Sequence, residues 1–109
     1  MIKWSNDGVR RVIEERMFCW LKDREIEILK NRYGLWGGRV WKIREIASNL
    51  DLSPARIGQI QKKAERKLHQ RMAARVLAGR LLEKYEDQIG TGEGSFYGAL
   101  IYRMLKAII

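Results

Sequence analysis

The sequence predicts an all-α domain, and three observations carry that expectation. Proline occurs once, at Pro54, and apolar residues recur three and four positions apart through most of the chain. No stretch shows the strict alternation of a half-buried strand. The length of 109 residues suits one compact core and is short for a multi-domain enzyme.

The elements follow in order. A first helix is expected over residues 6–19 and a second over 23–33, where Gly34 supplies the left-handed stop. Ile26, Leu29 and Tyr33 share one face of the second helix. Residues 35–39 read as a loop, because the paired glycines Gly37 and Gly38 punctuate it. A third helix starts near Lys42 and ends near Asn49. Ser53 then has the character of an N-cap and Pro54 of a first helical residue, since proline has no amide hydrogen to satisfy there.

The fourth helix begins at Pro54. Only Gly58 and Gly79 interrupt residues 54–85, so two forms stay open: one long helix, or one that bends and restarts near Gly79. Residues 90–94, with three glycines, read as a hinge. Ser95 is a candidate cap for a last helix whose Phe96, Tyr97, Leu100, Ile101, Met104, Leu105, Ile108 and Ile109 form a broad apolar stripe. That stripe has two readings, packing on the chain's own fourth helix or a partner surface, and the first is favoured.

Charge narrows the partners. Twenty-two Lys and Arg stand against 13 Asp and Glu, a net charge of +9 that favours a polyanion. Cys19 is the single cysteine, so no disulfide within the chain and no cysteine-built zinc site is expected, and a reducing cytoplasm is the natural compartment. Residues 1–11 lack the apolar run of a signal peptide, and no run approaches the roughly 20 apolar residues that span a bilayer.

The segment from Ile43 to Ile60 carries the strongest functional pattern, that of two short helices crossing steeply. Ala47 is small at the expected close approach. Ile46, Leu50, Ile57 and Ile60 face inward, Leu52 plugs the turn, and Asp51 occupies the turn position that often needs a left-handed backbone. With Ile57, Ile60, Ala64 and Leu68 turned to the core, the other face presents Arg56, Gln59, Lys63 and Arg66. Residues 54–80 hold eight Lys or Arg and one Glu, so the basic excess gathers where a groove-reading helix would meet phosphates.

Two stretches give this pattern a family resemblance. Leu21-Lys22-Asp23-Arg24-Glu25 and Leu29-Lys30-Asn31-Arg32-Tyr33-Gly34-Leu35 are similar to the first half of region 4 of sigma-70 family factors. Ile43-Arg44-Glu45-Ile46-Ala47, Ile57-Gly58-Gln59-Ile60 and Lys63-Ala64-Glu65-Arg66-Lys67-Leu68 resemble its helix-turn-helix and basic tail. The resemblance spans about residues 21–69. It divides the chain into an N-terminal helix at 1–20, a region 4-like domain at 21–70 and a C-terminal helical extension at 71–109.

The resemblance implies a domain that binds double-stranded DNA, with base-facing roles for Gln59 and Arg56, whose side chains suit adenine and guanine. It implies phosphate contacts at Arg24, Arg32 and Lys63, and the start of the third helix near Lys42 and Arg44 would add another. Arg66 lies on the same basic face. It also implies contact with the flap of the RNA polymerase beta subunit around Ile26 and Leu29, although core packing suits both better. Pro54 and Ala55 stand where an Arg-Glu pair reads bases in primary sigma factors, and Gly58 stands where Arg is common, so the resemblance does not carry the usual promoter sequence over to this chain. No segment matches the sigma region that melts promoter DNA.

The remaining signals are weak. His69 has no second His or Cys to complete a metal site, no Ser-His-Asp grouping converges, and residues 90–94 lack the Lys-Ser/Thr of a phosphate loop. No cofactor, metal or enzymatic activity is expected. Trp4, Trp20, Trp36 and Trp41 suit packing more often than base stacking. The leading reading is a sequence-specific transcription regulator of sigma region 4 type that reads promoter or operator DNA in the major groove and acts with RNA polymerase. A phage-type or mobile-element regulator, or one that replaces the host domain on the polymerase, fits it. A polymerase-binding adaptor and the DNA-binding subunit of a packaging or recombination machine are the alternatives, with dimerisation through the C-terminal helices compatible with each.

Overall fold

The computed structural model describes residues 6–37, 39–90 and 96–109. They form six helices and no strand: α1 (Asn6–Arg16), α2 (Asp23–Tyr33), α3 (Ile43–Leu50), α4 (Pro54–Gln70), α5 (Met72–Gly90) and α6 (Phe96–Ile108). Short 3₁₀ turns at Phe18–Trp20 and Leu35–Gly37 link α1 to α2 and leave α2. The first helix thus stops earlier than residue 19. Met17 and Phe18 are both buried, and the tighter turn lets consecutive side chains reach the core.

Local chemistry explains the helix ends. Glu25, in the first turn of α2, accepts the amide hydrogen of Lys22 at 2.8 Å, and Glu45 does the same for Lys42 at 3.1 Å at the start of α3. Ser53 Oγ accepts the amide hydrogen of Arg56 at 3.1 Å, with Pro54 opening α4 as expected. Gly34 closes α2 at φ 60°, and Asp51 closes α3 at φ 55°. The amide of Leu52 then bonds Ala47 O at 3.0 Å, completing a left-handed helix stop.

Two cores share the helices. Ile28, Ile46, Ala47, Ile57 and Ile60 form the smaller, with Trp41, Ile43, Leu50 and Leu52 packed against it. The larger joins α1, α2, the end of α4, α5 and α6, and includes Ile13, Leu29, Ala64, Leu68, Leu81 and Met104. Neighbours Ile28 and Leu29 therefore point into different cores, which makes α2 the wall between them. On α4, Ile57 and Ile60 serve the first core while Ala64 and Leu68 serve the second.

Neither expected form of residues 54–85 is found. The helix breaks at Arg71, which is extended at φ −89° and ψ 110°, while Gly79 lies inside α5. Packing is the reason: Leu68 on α4 and Ala74, Ala78, Leu81 and Leu82 on α5 all belong to the larger core, so the chain turns between them. The Arg71 guanidinium lies 4.2 Å from the centre of the exposed Trp20 ring, a cation–π contact at the break.

The stripe on α6 is core. Ile101, Met104, Leu105 and Ile108 are fully buried, against α5 and also α4 and α2, while Ile109 is exposed. His69 Nδ1 hydrogen-bonds Ile108 O at 2.8 Å and ties the end of α4 to that of α6. Trp4, the segment 91–95 with its expected hinge and cap, and the side chains of Phe96, Tyr97 and Leu100 lie outside the described residues.

Candidate nucleic-acid interface

Helix α4 is amphipathic, and its outer face is cationic. Ile57, Ile60, Ala64 and Leu68 are buried, whereas Arg56, Gln59, Lys62, Lys63 and Arg66 are exposed. The expected face of Arg56, Gln59, Lys63 and Arg66 is therefore assembled on one helix, and Lys62, which sequence reasoning left out, joins it. Arg56 Nη1 reaches Gln59 Oε1 at 3.5 Å, so the two expected base readers lie side by side at the N-terminal half of the helix.

The acid on this helix is turned inward. Glu65 Oε1 accepts hydrogen bonds from Tyr33 Oη at 2.6 Å and from Gln61 Nε2 at 3.0 Å. Gln61 Oε1 in turn accepts from Arg32 Nε at 3.1 Å, and Arg32 Nη1 donates to Trp41 O at 3.0 Å. Burial, with the hydrogen bond and charge of Glu65, pushes the Tyr33 hydroxyl well above its ordinary range, so it remains a donor. This chain of bonds joins α2, the loop before α3 and α4. It commits two donors of Arg32 within the fold, so this candidate differs from its exposed companions.

A second tie fixes the opposite edge. Glu25 is 4% exposed and takes Lys67 Nζ at 2.8 Å besides the amide of Lys22. Burial pushes its carboxyl up, but the hydrogen bonds from Lys67 and Lys22 and the charges of Lys67 and Lys63 outweigh it and hold it below the usual carboxylate range. Lys67 is thus a positioning group. Neither tie was legible in advance, although the Glu at the third position of α2 is a signal for its cap.

The other candidates lie around α4. Arg24 and Arg44 are exposed in the first turns of α2 and α3, and Lys42 is exposed immediately before α3. At that helix start the amide of Lys42 is already taken by Glu45, whose carboxylate pairs with Arg39 at 2.6 Å. The Arg39 hydrogen bond and the Lys42 amide hold Glu45 below the usual carboxylate range. Arg39 also stacks over Trp41 at 4.2 Å, and Trp36 meets Phe18 edge-on at 6.4 Å. The described tryptophans are therefore engaged within the fold.

Gly58 sits in α4 between these side chains, and apart from its chain neighbours and its own helix backbone no heavy atom lies within 4 Å of where its Cβ would stand. Among the described residues, no group of three His, Cys, Asp or Glu is placed to hold a metal ion, and no helix is long and apolar enough to cross a membrane.

The arrangement is a helix-turn-helix, α3 and α4 about a left-handed turn at Asp51, buttressed by α2. No solved structure matches the chain significantly. Residues 20–70 match the family model of sigma-70, region 4, the segment that contains α2, α3 and α4. By that match and this geometry, residues 20–70 belong to the sigma-70 region 4 family of helix-turn-helix DNA-binding domains.

Proposed function

We propose that the chain is a transcription regulator that reads promoter or operator DNA in the major groove through α4 and acts together with RNA polymerase. The observation that carries this reading is the one-sided face of α4, with four exposed cations and Gln59 outside and its single carboxylate tied inward. A helix of this kind enters the major groove with its N-terminal residues at the base edges. Arg56 and Gln59 take the base-reading role there, and Lys62, Lys63 and Arg66 meet phosphates.

Arg24, Lys42 and Arg44 supply further phosphate contacts from α2 and α3, while Arg32 keeps the loop and α4 in register. Helices α1, α5 and α6 act as a helical frame around the family domain. Such a regulator works in the cytoplasm, on bacterial or phage DNA. Ile26 packs against the larger core but is only half-buried, and its outer edge borders a shallow groove with Asp23, Glu27 and Lys30, which suits a polymerase contact, whereas Leu29 is fully buried.

Duplex binding over a salt series, with and without RNA polymerase, tests this function. Affinity should fall steeply with salt, with a log–log slope of about −0.9 for each phosphate neutralised. Polymerase should bind the chain directly and lose it in Ile26→Asp. A duplex affinity independent of salt would exclude the DNA reading, and absence of polymerase binding would leave an operator-binding regulator that acts alone.

A further inference from the structure

Outside the family domain, the first half of α5 carries an apolar surface that the DNA-reading role does not use. Met72 is 71% exposed and Val76 is 49% exposed, one helical turn apart. With Ala73, Leu77 and Arg80 of α5 and Arg16 from the end of α1 they line a groove of about 570 Å³. The inner face of the same helix buries Ala74, Ala78, Leu81 and Leu82, so the outer residues are surplus to the core. The Arg71 break fixes where α5 starts, and with it the position of Met72.

We propose that this groove docks an acidic amphipathic helix of a partner protein. A floor with apolar side chains at positions 72, 73, 76 and 77 is the spacing against which a helix lays its own apolar face. Methionine adapts its shape to such a face. The charges lining the groove are Arg16 and Arg80, with no carboxylate among the lining residues, and exposed Arg75 adds to the same helix. A second copy would set these arginines against each other or against an apolar floor without neutralising them, and a duplex would leave Met72 and Val76 against phosphates. Carboxylates flanking an apolar stripe satisfy both features.

Fluorescence anisotropy with a labelled peptide of about 18 residues tests the proposal. The peptide carries Leu at helical spacing of three and four and Glu elsewhere; one control scrambles the order and another replaces Glu by Lys. The full chain is first saturated with nonspecific duplex, so that the cationic face of α4 is occupied. The Glu peptide should bind and both controls should not. Val76→Glu and Arg80→Glu should each weaken binding by about tenfold or more with unchanged melting, and Val76→Glu with unchanged duplex affinity. No binding by the Glu peptide, equal binding to the scrambled peptide or equal binding to the variants would overturn the proposal. Concentration-dependent dimers abolished by Val76→Glu would overturn it in favour of a second copy, and loss of duplex affinity in that variant would reassign the face to DNA.

Discussion

Lys67 Nζ stands 2.8 Å from Glu25 Oε1, across the joint between α4 and α2. The pair is 29% and 5% exposed, so solvent screens it little. Lys67→Met leaves a buried carboxylate with one partner fewer and should cost about 1–3 kcal/mol of folding stability, measured by urea denaturation at neutral pH. The Glu25 carboxyl is held below its ordinary value of 4.5, so its stabilisation is present above that pH and lost as pH falls through the folded value. The wild type should therefore lose more stability than Lys67→Met on acidification below about 4.5. Parallel acid profiles would show that the pair contributes nothing.

Tyr33 and Glu65 give a prediction at the alkaline end. The Tyr33 hydroxyl is raised, so its contribution is present below the ordinary tyrosine value of 10 and declines as pH rises toward the folded value. An ultraviolet phenolate titration should show the Tyr33 step well above the ordinary tyrosine range while the chain is folded. Tyr33→Phe should remove that late step and cost about 1–2 kcal/mol.

Backbone positions respond differently. Asp51 has a left-handed backbone that glycine adopts without cost, so Asp51→Gly should stabilise by up to about 1 kcal/mol and Asp51→Val should destabilise. Gly58→Ala meets open space and should raise helix stability by about 1 kcal/mol. Thermal melts check the signs. If the same Gly58→Ala chain binds its selected duplex more weakly, the glycine serves close approach of the backbone to DNA.

The C-terminal helix should be indispensable to folding. Met104→Ala and Ile108→Ala each empty a fully buried site and should cost about 2–5 kcal/mol in denaturant titration. Values near zero would mean that α6 does not pack on the larger core.

Much of this was legible in the sequence because it is written locally. Ser53 before Pro54, the apolar series Ile57, Ile60, Ala64 and Leu68, and Asp51 at the turn each report a short-range preference, and each is found in place. The break at Arg71 is not local: arginine favours helix, and only the need to bury both Leu68 and Ala78 in one core bends the chain there. The ties of Glu25 to Lys67 and Arg32 to Gln61 span 42 and 29 residues, so no spacing rule announces them. Ile28 was hidden for the same reason, since it faces a second core on the far side of α2.

On the proposed function, the exposed face of α4 reads sequence in duplex DNA. Selection of binding sites from a random duplex library at moderate salt, with the wild type and with Arg56→Ala/Gln59→Ala in parallel, tests it most directly. The wild type should enrich a motif, and the double variant should lose preference at the corresponding positions, about 1–3 kcal/mol for each bidentate contact, while keeping salt-dependent affinity. The same motif enriched with undiminished preference by the double variant would contradict it.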